Sequence, residues 1–214
     1  MITLERIMSI PKSDLQEASK TLEKEDIPQL IEWLSLKDDN IRYQVFLLLQ
    51  NRSLLCDDVY THWDIFRNKL KSDNSYQRSI GLMLIAENVK WDAENRIDDT
   101  IDEYLTLLND EKPITIRQCI QALGKIASAK PSLNDKIASR LISFELMAVK
   151  ETMRKSILFD ILNVLLIVRK EHKTDEIESF ILNALSGEIL DKKSKKQVEA
   201  LYNEGETYGN QAIQ

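Results

Sequence analysis

The 214-residue chain is 43% hydrophobic, enough for a continuous core, and carries a formal net charge of -6 with a pI near 5.1. That balance excludes a disordered chain and argues against a nucleic-acid binder, whose affinity comes largely from a basic face that neutralises phosphates. Five glycines and four prolines are too few for the frequent turns of a β-sandwich or barrel, so long helices with short joints are expected.

In chain order, residues 1–24 supply one or two helices that cap the first repeat. Their opening, "MITLERIMSIPKSD", lacks the basic start and long apolar stretch of a secretory signal. From residue 25 a two-helix unit recurs. Its first helices read "IPQLIEWLSL", "HWDIFRNKLKS", "IDEYLTLLND" and "DKIASRLISFELMAV". Short polar joints such as "KDDN" and "KSDNS" lead into the second helices. A fifth, degenerate pair is "TDEIESFILNALSGE" with "KSKKQVEALYNEG", an end repeat that has lost part of the pattern. The expected repeats are 25–55, 59–91, 97–130, 133–170 and 174–204, one domain over 1–204, with 205–214 a flexible tail. Capping-box spacing at Ser13/Gln16, Thr100/Glu103 and Ser194/Gln197 predicts helix starts there.

Four arginines set the register: Arg42, Arg78, Arg117 and Arg154, separated by 36, 39 and 37 residues. Counting from each, positions +3, +4 and +7 are Val45, Phe46, Leu49; Gly81, Leu82, Ile85; Ile120, Gln121, Gly124; and Ile157, Leu158, Ile161. That is one apolar helical face, broken only by Gln121. Gly81 and Gly124 suit a face on which another helix packs closely. Each arginine lies on this stripe. It is expected to be buried or half-buried, paired with the joint acids Asp38, Asp39 and Asp73 or with backbone carbonyls. The third repeat offers Asp110 or Glu111, and the fourth, "VKETMR", has no aspartate.

A helix pair of about 40 residues, with aspartate in the joint and arginine opening the second helix, resembles HEAT repeats; "KDDNIRYQV" and "IRQCIQALGKIA" carry the likeness best. The resemblance implies an all-α fold, a right-handed α–α superhelix (α-solenoid) of four to five HEAT-like pairs. It also implies a non-catalytic scaffold that binds a protein or peptide on a concave face lined by the second helices. Residues flanking the apolar stripe would face the partner: Tyr43, Gln50, Ser79, Glu87, Gln118, Gln121, Lys125 and Lys155. A DNA-glycosylase-like or other nucleic-acid-binding HEAT protein is the alternative, and would need a basic concave face that these mixed residues do not provide.

No GxGxxG, GxxxxGK[ST] or GxSxG motif is present, and two histidines leave acid–base catalysis little to work with. No enzyme, cofactor or metal is expected. Cys56, Asp57, Asp58 and His62 lie close in "CDDVYTHW" without metal-ligand spacing. Cys56 reads as a buried apolar residue. Trp33 and Trp63 read as core, whereas Trp91 ends a helix where it could touch a partner. The basic run "DKKSKK" and the acidic stretch "DAENRIDDTIDE" read as solvated segments. The run "ILFDILNVLLIV" is too short to span a bilayer. Two unpaired cysteines fit a reduced, cytoplasmic protein.

Overall fold

The computed structural model describes residues 2–211, with side chains through Asn203. Among the described residues there are twelve α-helices, seven short 3₁₀ turns and no strand. No described helix is long and apolar enough to cross a membrane. The chain divides into two compact units, Met1–Tyr104 and Leu105–Gln214.

The first unit holds α1 (Leu4–Ser9), α2 (Leu15–Lys20), α3 (Ile27–Trp33), α4 (Asp39–Leu55), α5 (Trp63–Lys69) and α6 (Ser75–Asn88). It also holds most of α7 (Arg96–Thr106). Helix α4 packs against α1, α2, α3 and α6, and α5 packs on α6. Ile27, Leu30, Val45, Leu48, Leu49, Trp63, Phe66, Leu82 and Ile85 are fully buried between them. Gly81 permits the closest approach. A Cβ there would lie 2.6 Å from the Phe66 carbonyl oxygen, so no larger residue fits without moving backbone.

The second unit holds α8 (Pro113–Ala129), α9 (Asn134–Ile142), α10 (Glu151–Arg169), α11 (Asp175–Ser186) and α12 (Lys192–Gln211). Helix α10 is its hub, packing on α8, α9, α11 and α12. Gly124 meets Ile167 and Val164 of α10, another close approach of the kind its position implies. Helix α12 continues through residues 205–211, expected as a tail; nothing between Lys192 and Gln211 blocks helix continuation as proline would. Residues 212–214 lie outside the described residues.

Side-chain hydrogen bonds join helices 34 to 43 residues apart in sequence. In the first unit, Gln44 donates to the carbonyls of Ile7 and Ile10, 37 and 34 residues away. Gln50 donates to Glu87, Asn88 to Ser53, Trp91 to the Ser53 carbonyl and Trp63 to Thr100. In the second, Arg117 donates to Asp160 and Lys155 to Asp191, 43 and 36 residues apart.

The helix starts differ from the capping-box reading. Thr100 sits inside α7, donating to the Arg96 carbonyl and accepting from Trp63. The cap of α7 is Asp92, whose carboxylate accepts from the amides of Arg96 and Ile97 at 2.8 and 2.9 Å. Ser194 lies in the first turn of α12, and Asp191 caps it. Ser13 donates to Asp14 in a 3₁₀ turn, and α2 starts at Leu15 with no side-chain cap bond. The spacing was present in each case, but a better-placed carboxylate upstream, or none, met the free amides.

Candidate functional site

The four register arginines lie at the joints between the helices of each pair. Arg42 is buried, and its guanidinium donates to the Leu36 carbonyl at 2.7 Å and to Asp39. Asp38 instead caps α4, accepting from the amides of Asn40 and Ile41. Arg78 donates to the carbonyls of Ser72 and Asp73 at 2.8 and 3.1 Å, so Asp73 engages it through the main chain. Arg154 donates to the carbonyls of Val149 and Met147 at 3.2 and 3.0 Å. These three clasp the joint preceding their own helix, satisfying joint carbonyls that no helix hydrogen bond uses.

Arg117 does something else. Its Nε donates to Asp160 on α10 at 2.6 Å, and Gln121 donates to the same carboxylate at 3.0 Å. Asp160 is buried, and the hydrogen bond it accepts further raises the already high pKa of Arg117, against the opposing effect of burial. The exception in the apolar stripe, Gln121, is thus a partner of a buried acid. Neither link could be found from local spacing, because the acid lies 43 residues downstream of Arg117 within an apolar run.

The eight residues expected to face a partner fall into different environments. Ser79 and Glu87 are buried, and Gln50 is half-buried with its amide on Glu87. Gln118 is half-buried, its Oε1 without a hydrogen-bond donor among the described residues. Gln121 and Lys155 are exposed but engaged, with Asp160 and Asp191 respectively. Lys125 is exposed. Tyr43 is exposed, with Lys12 Nζ 5.0 Å from its ring.

The tryptophans also differ from expectation. Trp63 is buried, as a core residue should be, but Trp33 is only half-buried. Trp91 is half-buried with its indole committed to the Ser53 carbonyl at 2.7 Å. Cys56 is half-buried, because it lies just past the end of α4 rather than on its inner face. Asp58 accepts from Arg52, and among the described residues no group of three His, Cys, Asp or Glu is placed to hold a metal.

A feature that shares only Tyr43 with the expected set recurs near the joints. Within five residues of the start of each second helix, one large apolar side chain is exposed: Tyr43 (51%), Tyr76 (62%), Ile114 (56%), Met147 (65%) and Ile189 (38%). Tyr43, Tyr76 and Ile114 lie in the first turns of α4, α6 and α8; Met147 and Ile189 lie in the joints before α10 and α12. In the first unit the Arg42 guanidinium sits 5.5 Å from the Tyr76 ring, so one cation supports the joint on one side and an exposed ring on the other.

No family model matches the sequence, and no curated protein matches it. Among solved structures, a crystal structure of an engineered protein, a Northeast Structural Genomics Consortium target, is similar at 14% identity and a TM-score of 0.52. The match covers 97% of this chain and 98% of that one. At that identity the likeness concerns the fold alone.

Proposed function

We propose that this chain is a HEAT-like helical-repeat scaffold, a right-handed α–α superhelix that binds a protein or peptide without catalysing a reaction. The observation that carries the reading is the exposed apolar residue at every joint. Isolated apolar residues on a surface are ordinary, but one within five residues of the start of each of five successive second helices is a recurring feature that core packing does not require. Tyrosine and methionine also suit contact surfaces, the first by adding large area at low entropic cost and the second by adapting its shape. Of the eight expected contact residues, Tyr43 belongs to this set.

The net charge of -6 supports a protein partner over a nucleic acid. The test is capture from a native lysate at moderate salt, comparing the natural chain with the combined variant Tyr43→Ser, Tyr76→Ser, Ile114→Ser and Met147→Ser. These side chains contribute little to the core, so the variant should keep its helical circular dichroism and lose the captured protein. Tight, salt-sensitive binding of duplex DNA by the natural chain would replace this reading with the nucleic-acid one.

A further inference from the structure

We propose that the joint at residues 143–150 of the second unit is a docking site for an extended peptide that carries apolar side chains next to lysine or arginine. This rests on the peptide-binding reading and gives it a place and a partner chemistry.

The joint between α9 and α10 spans eight residues, 143–150, against five, 34–38, between α3 and α4. It separates two open clefts. One, of about 470 Å³, has Ile116, Phe144 and Val149 in its wall and Asp110, Arg140 and Glu145 at its rim. The other, of about 290 Å³, is lined by Met147, Glu151, Arg154, Lys155, Glu188 and Ile189. Met147 opens to the second cleft and the next two residues to the first, so the chain itself is the wall between them. Arg154 holds that wall by donating to the carbonyls of Met147 and Val149 on either side of Ala148. The joint is therefore fixed, while the Met147 side chain above it is exposed.

The charges around these clefts decide the partner. Two of the three cations are engaged, Arg154 with the joint carbonyls and Lys155 with Asp191 at 2.9 Å. Among the described residues the carboxylates of Glu145, Glu151 and Glu188 have no ion pair or hydrogen-bond donor, and all three residues are exposed. Arg140 is the single uncommitted cation of the two rims. Lys150, at the end of the joint, is a second exposed cation, uncommitted among the described residues. Three available carboxylates against these two cations, around apolar walls, complement a basic peptide with apolar anchors. They oppose an acidic peptide or a nucleic-acid backbone.

The probe is a fluorescein-labelled 12-residue peptide alternating lysine with leucine and valine, followed by fluorescence anisotropy on the full chain. Two control peptides replace the lysines by glutamate or the apolar residues by serine. Saturable binding of the first peptide is expected, with both controls at least tenfold weaker. Neutralising the rim with Glu145→Gln, Glu151→Gln and Glu188→Gln should weaken it about tenfold, the sum of three exposed charge contacts. Met147→Ser should weaken it several-fold through the anchor.

A matched set in the first unit, Glu25→Gln, Asp57→Asn and Glu94→Gln, removes the same charge from exposed residues and should change nothing. Equal weakening by the two sets, or equal binding of the glutamate peptide, would overturn the site and reduce the effect to net charge. The wider reading fails separately. If the rim variants still capture the lysate protein and Tyr43→Ser with Tyr76→Ser does not, the site is wrong and the scaffold stands; if the combined apolar variant captures as well as the natural chain, the scaffold reading goes too.

Discussion

In residues 1–104, 13 Lys and Arg stand against 20 Asp and Glu, a net -7; in residues 105–214 the counts are 16 and 15, a net +1. The two units also use their register arginines differently. Arg42 folds back onto its own joint, whereas Arg117 reaches across to the next second helix. The reason lies six residues past the following arginine. In α10 that position is Asp160, a buried acid; in α6 it is Leu84, fully buried and apolar. With no acid across the groove, a guanidinium finds carbonyls at home. The same side chain thus seals its own hairpin where the facing position is leucine and bolts two hairpins together where it is aspartate.

All three tryptophans lie in the first unit, at 33, 63 and 91. Their fluorescence follows that unit alone, and far-ultraviolet circular dichroism follows both. The largest effect is expected from moving the second unit's solution into the first. Leu84→Asp buries a carboxylate where Arg42 is already committed, and should cost about 4 kcal/mol, read as a lower urea midpoint in tryptophan fluorescence. If Arg42 turned to meet the new acid, the cost would nearly vanish, and the residue at this position alone would set the arginine's partner.

Asp160→Ala should cost about 2 kcal/mol by circular dichroism, because Arg117 and Gln121 lose their shared acceptor while the half-buried arginine finds some water. A tryptophan midpoint that moves with it would show that the units unfold together; one that stays would show that they do not.

Acid should act on the second unit through Glu178. Burial raises its pKa, but hydrogen bonds from Arg169 and Tyr202 outweigh that and hold it below the ordinary carboxylate range. A depressed folded pKa means stability that is fully present above the unfolded value of ~4.3 and is lost as pH falls through the folded one. The melting temperature by circular dichroism should therefore drop as pH falls below about 5, and less steeply in Glu178→Gln.

Asp39→Ala should cost only about 0.5 kcal/mol in urea melts, since the carboxylate is 72% exposed and Arg42 keeps the Leu36 carbonyl. The two thiols give the smallest change. Cys56 should react with a disulfide reagent in the folded chain, while Cys119 waits for unfolding, because burial pushes its pKa well above the ordinary thiol range.

Helices were legible because their cause is local. The 3.6-residue stripe at Val45, Phe46 and Leu49 is the buried face of α4, and the two stripe glycines mark close helix contacts. Caps were less legible: Asp92 and Asp191 precede their helices without the expected partner three residues on. The site was legible only in part. Tyr43 was placed correctly at the surface. Ser79 and Glu87 were not; Glu87 lies inside where it accepts from Gln50, 37 residues away, a pairing no local spacing shows. Tyr76 and Met147 were passed over as helix or joint residues. Their exposure depends on joint geometry, which a period count does not contain.

Most of the side-chain hydrogen bonds between successive helix pairs span 32 to 43 residues. A chain wired at that one distance closes only short loops as it folds, and each closure costs about the same entropy as the last. Within each unit a newly made hairpin can thus dock on its predecessor as soon as both have left the ribosome, without waiting for anything downstream.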